Sequence, residues 1–143
     1  MSNLNEDLKV LVVDDSSETL NLLRAMLTDL KISQIYTAKD GKEALEFLGL
    51  FDDADEPVVN AILCDWNMPR LSGIELLRQI RSVDPDIPFL MVTGNASAQS
   101  VLEAKAEGIT GYLAKPFSVD QLSKKLAVVS RVLRHRAEPE RSR

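Results

Sequence analysis

The chain has 143 residues, 45% of them hydrophobic, 27% charged and 5% aromatic, with a formal net charge of −5; these values fit one domain with a packed core and exclude disorder as its main state. The acidic excess argues against DNA or other nucleic acid as a partner, because such binding depends on Lys and Arg at phosphates. No run approaches the roughly 20 apolar residues of a membrane helix. Residues 1–9 lack the layout of a signal peptide, and the single cysteine cannot form an internal disulfide. We therefore expect a cytoplasmic protein without membrane insertion.

Apolar runs of strand length alternate along the chain with segments of helical period. In chain order they are strand Leu8–Val13, a helix capped by Ser16 or Ser17, strand Ile32–Ala38, helix Asp40–Leu50, an acidic loop Phe51–Glu56, strand Val58–Cys64, helix Ser72–Val83, strand Ile87–Val92, helix Ser97–Glu107, strand Ile109–Ala114 and a helix capped by Ser118. Strands that alternate with helices form a parallel sheet with helices on both faces. We therefore predict an α/β, doubly wound, five-stranded parallel sheet with five helices, in which ligands bind outside the carboxyl ends of the strands.

Polar side chains follow four of the five predicted strands. The first strand ends in Asp14 and Asp15, the third in Asp65, the fourth in Thr93 and the fifth in Lys115. Any one of these residues has a plain explanation, because Asp and Thr are common in turns and helix caps. All of them together predict a site, because parallel strands bring their carboxyl ends to one edge of the sheet.

The residue types at this edge indicate metal-assisted phosphoryl chemistry. Three crowded carboxylates repel one another, and a hard divalent cation with oxygen ligands relieves that repulsion. The sole histidine and sole cysteine offer little to zinc, so Mg²⁺ is the expected ion. Asp65 is the candidate nucleophile because it stands alone on the central strand, which leaves Asp14 and Asp15 as metal ligands. Lys115 and the hydroxyl of Thr93 would face the phosphoryl oxygens.

Two residues beside Asp65 have plain structural interpretations. The two-residue period of a strand points Cys64 away from Asp65, so we expect it to be a small core residue without a redox role. Trp66 is either an interface residue or a surface aromatic. If Trp66 lies at the metal site, its fluorescence should report the binding of magnesium or a phosphate analogue.

These motifs together resemble the CheY-like receiver domains of bacterial two-component response regulators. The resemblance covers Leu8 to Leu133, and the residues that carry it are Asp14-Asp15, Asp65-Trp66-Asn67-Met68-Pro69, Gly73, Thr93 and Lys115-Pro116-Phe117. It implies the flavodoxin-like strand order 2-1-3-4-5. The order and spacing of the motifs, rather than any single one of them, make the resemblance specific.

The resemblance implies a phosphoacceptor and a set of metal ligands. Asp65 would accept a phosphoryl group from a histidine kinase or a histidine phosphotransfer protein. Asp15 and Asp65 would bind Mg²⁺ directly, Asp14 would act through a water, and the backbone carbonyl of Asn67 would be a further ligand.

The resemblance also implies a switch. Lys115 would pair with the phosphoryl oxygens, and its bond to Pro116 is expected to be cis. Thr93 would move to hydrogen-bond the phosphate, and Tyr112 would turn inward with it. The surface of the fourth helix, fifth strand and fifth helix would then change its affinity for a downstream protein.

We predict three parts in the chain: an N-terminal extension at 1–7, a receiver domain at 8–135 and a basic C-terminal tail at 136–143. Too few residues follow the receiver pattern for an output domain, so we expect a stand-alone regulator that signals by phosphorylation-dependent protein contact. Chemotaxis is the first expectation for its pathway, with phosphorelay or adaptor roles as alternatives. A fragment of a longer regulator is a further alternative.

The basic end of the chain, Arg131–Arg143, has two interpretations. The favoured one is a solvated helix end whose arginines complement the helix dipole before Pro139. The other is a contact site for an anionic partner. Charge reversal at Arg131, Arg134 and Arg136 distinguishes them, because unchanged partner binding would exclude the second.

Two alternatives belong to other classes of protein. An aspartate-nucleophile phosphohydrolase would share the magnesium and carboxylate chemistry, but it needs a general acid two residues after the nucleophile, where Asn67 stands. A flavodoxin-like nucleotide binder would need a glycine-rich loop after the first strand, which is absent. We therefore expect a signalling protein rather than an enzyme, with at most self-phosphorylation from small donors and autodephosphorylation.

Overall fold

The computed structural model describes residues 7–49, 59–94 and 97–137. In this part of the chain, helices and strands alternate in the predicted order. The elements are β1 (Lys9–Val13), α1 (Ser17–Asp29), β2 (Gln34–Ala38), α2 (Gly41–Leu48), β3 (Ala61–Asp65), α3 (Gly73–Val83), β4 (Phe89–Thr93), α4 (Ala98–Ala106), β5 (Gly111–Ala114) and α5 (Val119–Ala137).

The five strands form one parallel sheet in the order β2-β1-β3-β4-β5. Every residue of β3 and β4 is buried, as expected for central strands that are covered on both faces. The outer strands β2 and β5 are only partly buried. The predicted doubly wound fold and its strand order are confirmed.

Side chains that alternate along the strands build two apolar cores, one on each face of the sheet. Leu11 and Val13 of β1 pack into one core, with buried residues of α2, α3 and Ala104 of α4. Val10 and Val12 pack into the other, with buried residues of α1 and α5. The helices therefore divide into α2, α3 and α4 on one face and α1 and α5 on the opposite face.

Side chains cap the helices at the positions where the sequence changes from strand period to helical period. The Oγ of Ser16, rather than that of Ser17, accepts a hydrogen bond from Thr19 N and begins α1. Ser72 forms a capping box at α3. The predicted cap of α5 is confirmed by a reciprocal pair of bonds between Ser118 and Gln121.

Some predicted boundaries were wrong by a few residues. β2 begins at Gln34 instead of Ile32, because the backbone N–H of Ile32 closes the end of α1 on the carbonyl of Leu27. α2 ends at Leu48, where Gly49 turns the chain at φ +64°.

The remaining strand boundaries also differ. β3 and β4 start at Ala61 and Phe89 and extend to Asp65 and Thr93, so the polar residues end the strands themselves. β5 begins at Gly111 instead of Ile109.

Several sequence-based expectations fall on residues outside this description. The acidic loop Phe51–Glu56 and residues 1–6 and 138–143 are among them. The first residues of the basic end belong to α5, which continues to Ala137. Among the described helices, none combines the length and the hydropathy needed to span a bilayer.

Candidate functional site

Three acidic side chains meet at the carboxyl edge of the sheet. Asp14 and Asp15 directly follow β1, and Asp65 is the last residue of β3. The β1–β3 register pairs Val13 with Cys64, so Asp14 and Asp65 are the next residues on adjacent strands. One carboxylate oxygen of each acid lies within 4.8 Å of the others. The structure thus brings together the three acids that the sequence singled out.

Lys115 joins this cluster from the far end of the chain. Its Nζ lies 3.0 Å from Oδ2 of Asp14 and 3.6 Å from Oδ1 of Asp65. Its backbone N–H donates to the carbonyl of Thr93 at 2.8 Å, which fixes the end of β5 against the end of β4. The bond from Lys115 to Pro116 is cis, as the family resemblance implied.

The carboxyl of Asp65 lies in an unfavourable environment for a negative charge. Its pKa is raised above the usual value, first by burial and second by the charge of Asp14, with a smaller contribution from Asp15. Lys115 and a backbone hydrogen bond from Asn67 act in the opposite direction. Since burial and repulsion dominate, the ammonium of Lys115 does not fully offset the negative charge of the cluster.

Asp14 is held in place by the backbone around it. It is 1% exposed, and its Oδ1 accepts the N–H of Ser16 at 2.8 Å while Oδ2 faces Lys115. Asp15 is exposed, so its carboxylate faces solvent. A buried carboxylate and an exposed one together offer oxygen ligands on one side and access to water on the other. This combination fits a hard divalent cation that keeps several waters, as Mg²⁺ does. The residues present therefore fit a magnesium ion.

Thr93 lies at the end of β4 and Tyr112 lies in β5, the two strands that follow β3 in the sheet. The β3–β4 register pairs Asp65 with Val92, so Thr93 is one residue beyond Asp65 on the adjacent strand; it is 3% exposed. Tyr112 on β5 is half-buried and pairs with Met91. Both Thr93 and Tyr112 line a small apolar cavity beneath α4.

Asn67 lies in the loop after β3 and is exposed. Its backbone donates a hydrogen bond that lowers the pKa of Asp65. The role of its carbonyl as a metal ligand stays a prediction. Cys64, in contrast, is fully buried in the core with Met91 and Val13, as predicted.

Sequence reasoning named Gly73 as part of a motif but missed its physical role. A Cβ at this position would clash with the carbonyl oxygen of Asp65 and would lie 3.0 Å from Cα of Trp66. The N–H of Gly73 donates to the carbonyl of Trp66 at 2.9 Å, so α3 begins directly against the end of β3. Only glycine therefore fits at this position without displacing the backbone that carries Asp65. A glycine just after the capping Ser72 was the available signal.

The fold and the acidic site define the class of this protein. The chain belongs to the response regulator receiver domain family, whose model matches residues 10–127. The resemblance found in the sequence motifs is thereby confirmed, and the family is one of signalling domains.

Individual relatives are also similar to this chain. Chemotaxis protein CheY-3 of Vibrio cholerae is 37% identical over 127 residues, which cover 86% of this chain and 92% of that protein. Chemotaxis protein CheY of Pseudomonas aeruginosa is 37% identical over 123 residues, with 83% and 93% covered. The crystal structure of the chemotaxis protein CheY4 of Vibrio cholerae matches with a TM-score of 0.74 at 36% identity, and the match covers 85% of this chain and 98% of that one.

Proposed function

We propose that this receiver domain accepts a phosphoryl group on Asp65 from a phosphohistidine of a histidine kinase or phosphotransfer protein. The observation that carries the proposal is the position of Asp65 at the end of the central strand, with oxygens of two other carboxylates within 4.8 Å and the Lys115 ammonium 3.6 Å away. In the reaction, a carboxylate oxygen of Asp65 bonds to phosphorus while the P–N bond of the donor breaks. The imidazole leaves with the bonding electrons and takes a proton from solvent, and Asp65 becomes an acyl phosphate.

The surrounding residues have separate tasks in this reaction. Asp14, Asp15, Asp65 and the carbonyl of Asn67 would hold Mg²⁺, which neutralises charge on the phosphoryl oxygens. Lys115 is 27% exposed and reaches both Asp14 and Asp65, so its ammonium can pair with a phosphoryl oxygen on Asp65.

We propose that the acyl phosphate shifts a population of two conformations. A phosphoryl group adds close to two negative charges at a site that already contains three acids. The conformation in which the Thr93 hydroxyl and Lys115 contact the phosphate is stabilised over the conformation in which they do not. Tyr112, which borders the same cavity as Thr93, turns inward when the hydroxyl moves away from that cavity.

The surface of α4, β5 and α5 is the proposed output site for a downstream protein. β5 and α5 form a groove of about 470 Å³ that is lined by Tyr112, Leu113, Lys124 and Lys125. The Nζ of Lys125 lies 5.7 Å from the centre of the Tyr112 ring, so movement of the ring changes this basic surface. The relatives described above are chemotaxis proteins by name, which supports chemotaxis as the pathway and the cytoplasm as its location.

The deciding experiment is incubation with magnesium and a small phosphodonor such as acetyl phosphate. We expect an acid-stable, base-labile label on the wild-type protein and none on Asp65→Asn. Asp86→Asn is the matched control, since Asp86 is exposed before the amino end of β4 and should label like the wild type. Equal labelling of Asp65→Asn would overturn the assignment, and sustained hydrolysis of external phosphomonoesters would support a phosphohydrolase instead.

A further inference from the structure

The helix α4 has less apolar contact with the body of the domain than its neighbour α3. Among the α4 side chains that the structure describes, only Ala104 is buried, while Leu102 is 66% exposed. α3 buries four apolar side chains: Ile74, Leu76, Leu77 and Ile80. Since apolar burial is the main source of helix docking energy, polar contacts matter more for α4 than for α3.

Arg78 of α3 makes the first polar contact with α4. Its Nε donates to Oε1 of Glu107 at 2.8 Å, and its Nη2 lies 3.5 Å from Oε1 of Glu103. Glu103 and Glu107 stand on successive turns at the C-terminal end of α4. One planar guanidinium therefore joins two turns of α4 to α3, which a lysine could not do with the same geometry.

Arg81, one turn further along α3, makes the second contact. Its Nε and Nη2 donate to the carbonyl oxygen of Gly108 at 3.0 and 2.9 Å, and its Nη1 donates to the carbonyl of Asp84 at 3.2 Å. Gly108 reverses the chain after α4 at φ +89°. The charge of Arg81 thus lies at the negative end of the α4 dipole. Both arginines hold the same end of the helix.

α4 also covers the cavity next to the candidate site. Val101 and Ala104 line this cavity from α4, and Thr93 and Tyr112 line it from the strands. Its volume is about 10 Å³, which is roughly enough for one water. A tyrosine ring is much larger than this space, so its inward turn requires α4 to move outward as well as the Thr93 hydroxyl to leave the cavity.

We propose that Arg78 and Arg81 anchor the C-terminal end of α4 to α3 and thereby resist the outward movement of α4 that an inward turn of Tyr112 requires. The part of this inference that concerns Tyr112 rests on the proposed function. The anchor stabilises the arrangement in which the cavity is closed. Loss of these arginine contacts lowers the free energy needed to open the cavity. By linkage, it also raises the affinity for a phosphate analogue that favours the open arrangement.

Hydrogen exchange of the full chain tests the anchor without any phosphoryl chemistry. In Arg78→Ala, we expect the amides of α4 to exchange about fivefold faster than in the wild type, because two ion pairs between helices are lost. Arg24→Ala is the matched control, since its Nη2 donates to Oγ1 of Thr37 at 3.3 Å on the opposite face of the sheet. This control should leave α4 exchange unchanged. Equal α4 exchange in Arg78→Ala and the wild type would overturn the anchor.

A charge swap separates the ion pairs from any general effect on α3. Arg78→Glu alone should accelerate α4 exchange, because it places like charges against Glu103 and Glu107. The triple variant with Glu103→Arg and Glu107→Arg should recover most of the protection. A triple variant that exchanges as fast as Arg78→Glu would overturn the role of the ion pairs.

The link to the switch is tested by the affinity for beryllofluoride with magnesium. Trp66, the only tryptophan, lines the cavity and supplies the fluorescence signal. We expect Arg78→Ala to bind this analogue about threefold more tightly than the wild type, with Arg24→Ala unchanged. Faster α4 exchange with unchanged affinity would overturn the link. A wild-type protein that binds no analogue would overturn the proposed function, and hydrogen exchange would still decide whether the arginines hold α4.

Discussion

The ammonium of Lys115 lies 3.0 Å from a carboxylate oxygen of Asp14, although the two residues are 101 positions apart in the chain. Asp14 is almost fully buried, and the same ammonium lies 3.6 Å from a carboxylate oxygen of Asp65. Lys115 therefore supplies the positive charge that two buried carboxylates require in the absence of a metal ion. A bound cation would take over that task, which would leave the lysine available to other anions.

Replacement of Lys115 should make the fold depend on magnesium. In metal-free buffer at pH 7, we expect Lys115→Met to unfold about 1–3 kcal/mol more easily than the wild type, because it leaves buried carboxylates unpaired. Saturating Mg²⁺ should stabilise Lys115→Met more than it stabilises the wild type. Thermal unfolding with EDTA and with Mg²⁺ measures both effects.

The control for this change is Lys42→Met on the exposed face of α2, where no stability loss beyond a few tenths of a kcal/mol is expected. Equal responses of Lys115→Met and Lys42→Met would mean that Lys115 is not the counter-charge of the cluster.

The raised pKa of Asp65 predicts that its carboxylate destabilises the metal-free protein. A folded-state pKa above the unfolded one leaves stability intact at acid pH and reduces it as pH rises through the folded-state value. Asp65→Asn should thus unfold about 2–5 °C higher than the wild type at pH 7 in EDTA. Below the usual pKa of an aspartate the two proteins should converge.

Unfolding midpoints across this pH range, with Asp86→Asn for comparison, give the measurement. A metal-free Asp65→Asn that is less stable than the wild type at pH 7 would contradict the prediction. Added Mg²⁺ should reduce the difference in unfolding midpoint between Asp65→Asn and the wild type. The ion stabilises the wild type more, because only the wild type has all three carboxylates.

The sequence was sufficient to predict this cluster because each acid lies at or just after the end of a strand and parallel strands share one carboxyl edge. It was not sufficient to predict which carboxylate Lys115 approaches most closely, since that depends on the path of the chain after β5. The distance of 3.0 Å to Asp14 against 3.6 Å to Asp65 could only come from the structure. The same holds for Gly73, because a glycine in a motif does not show that a Cβ at this position would clash with the carbonyl oxygen of Asp65.

The helices show the same division between local and distant information. The cap at Ser118 was visible because capping acts within four residues along the chain. The contact of Arg78 with Glu103 and Glu107 was not visible, because it depends on how two helices pack against each other. β2 was predicted too long because Ile32 is apolar, yet its N–H completes the end of α1.

A lysine at the end of α1 offers a direct test of backbone strain. Lys31 has φ +71°, a left-handed conformation that favours glycine. Its N–H bonds to the carbonyl of Thr28, and the N–H of Ile32 bonds to the carbonyl of Leu27, which is the hydrogen-bond pattern of a Schellman motif. Lys31→Gly should therefore stabilise the fold by about 0.5–1 kcal/mol.

Urea unfolding of Lys31→Gly and of Lys39→Gly distinguishes strain from a general effect of glycine. Lys39 is also exposed, but its φ is not positive, so glycine there should be neutral or destabilising. A loss of stability in Lys31→Gly would show that the lysine side chain contributes more than its strain costs.

A buried hydroxyl in α5 predicts a stabilising substitution of a different kind. Ser130 is 5% exposed, and within the described residues its Oγ has no hydrogen-bond partner. An unsatisfied buried hydroxyl costs about 1–3 kcal/mol, so Ser130→Ala should raise the free energy of unfolding by about 1 kcal/mol.

Ser123→Ala, seven residues earlier on the same helix, gains the same helix propensity, but Ser123 is only half-buried. Urea unfolding of the two variants isolates the buried hydroxyl, because only its contribution differs between them. Equal gains would assign the effect to helix propensity, and a loss in Ser130→Ala would mean that the hydroxyl is satisfied by water.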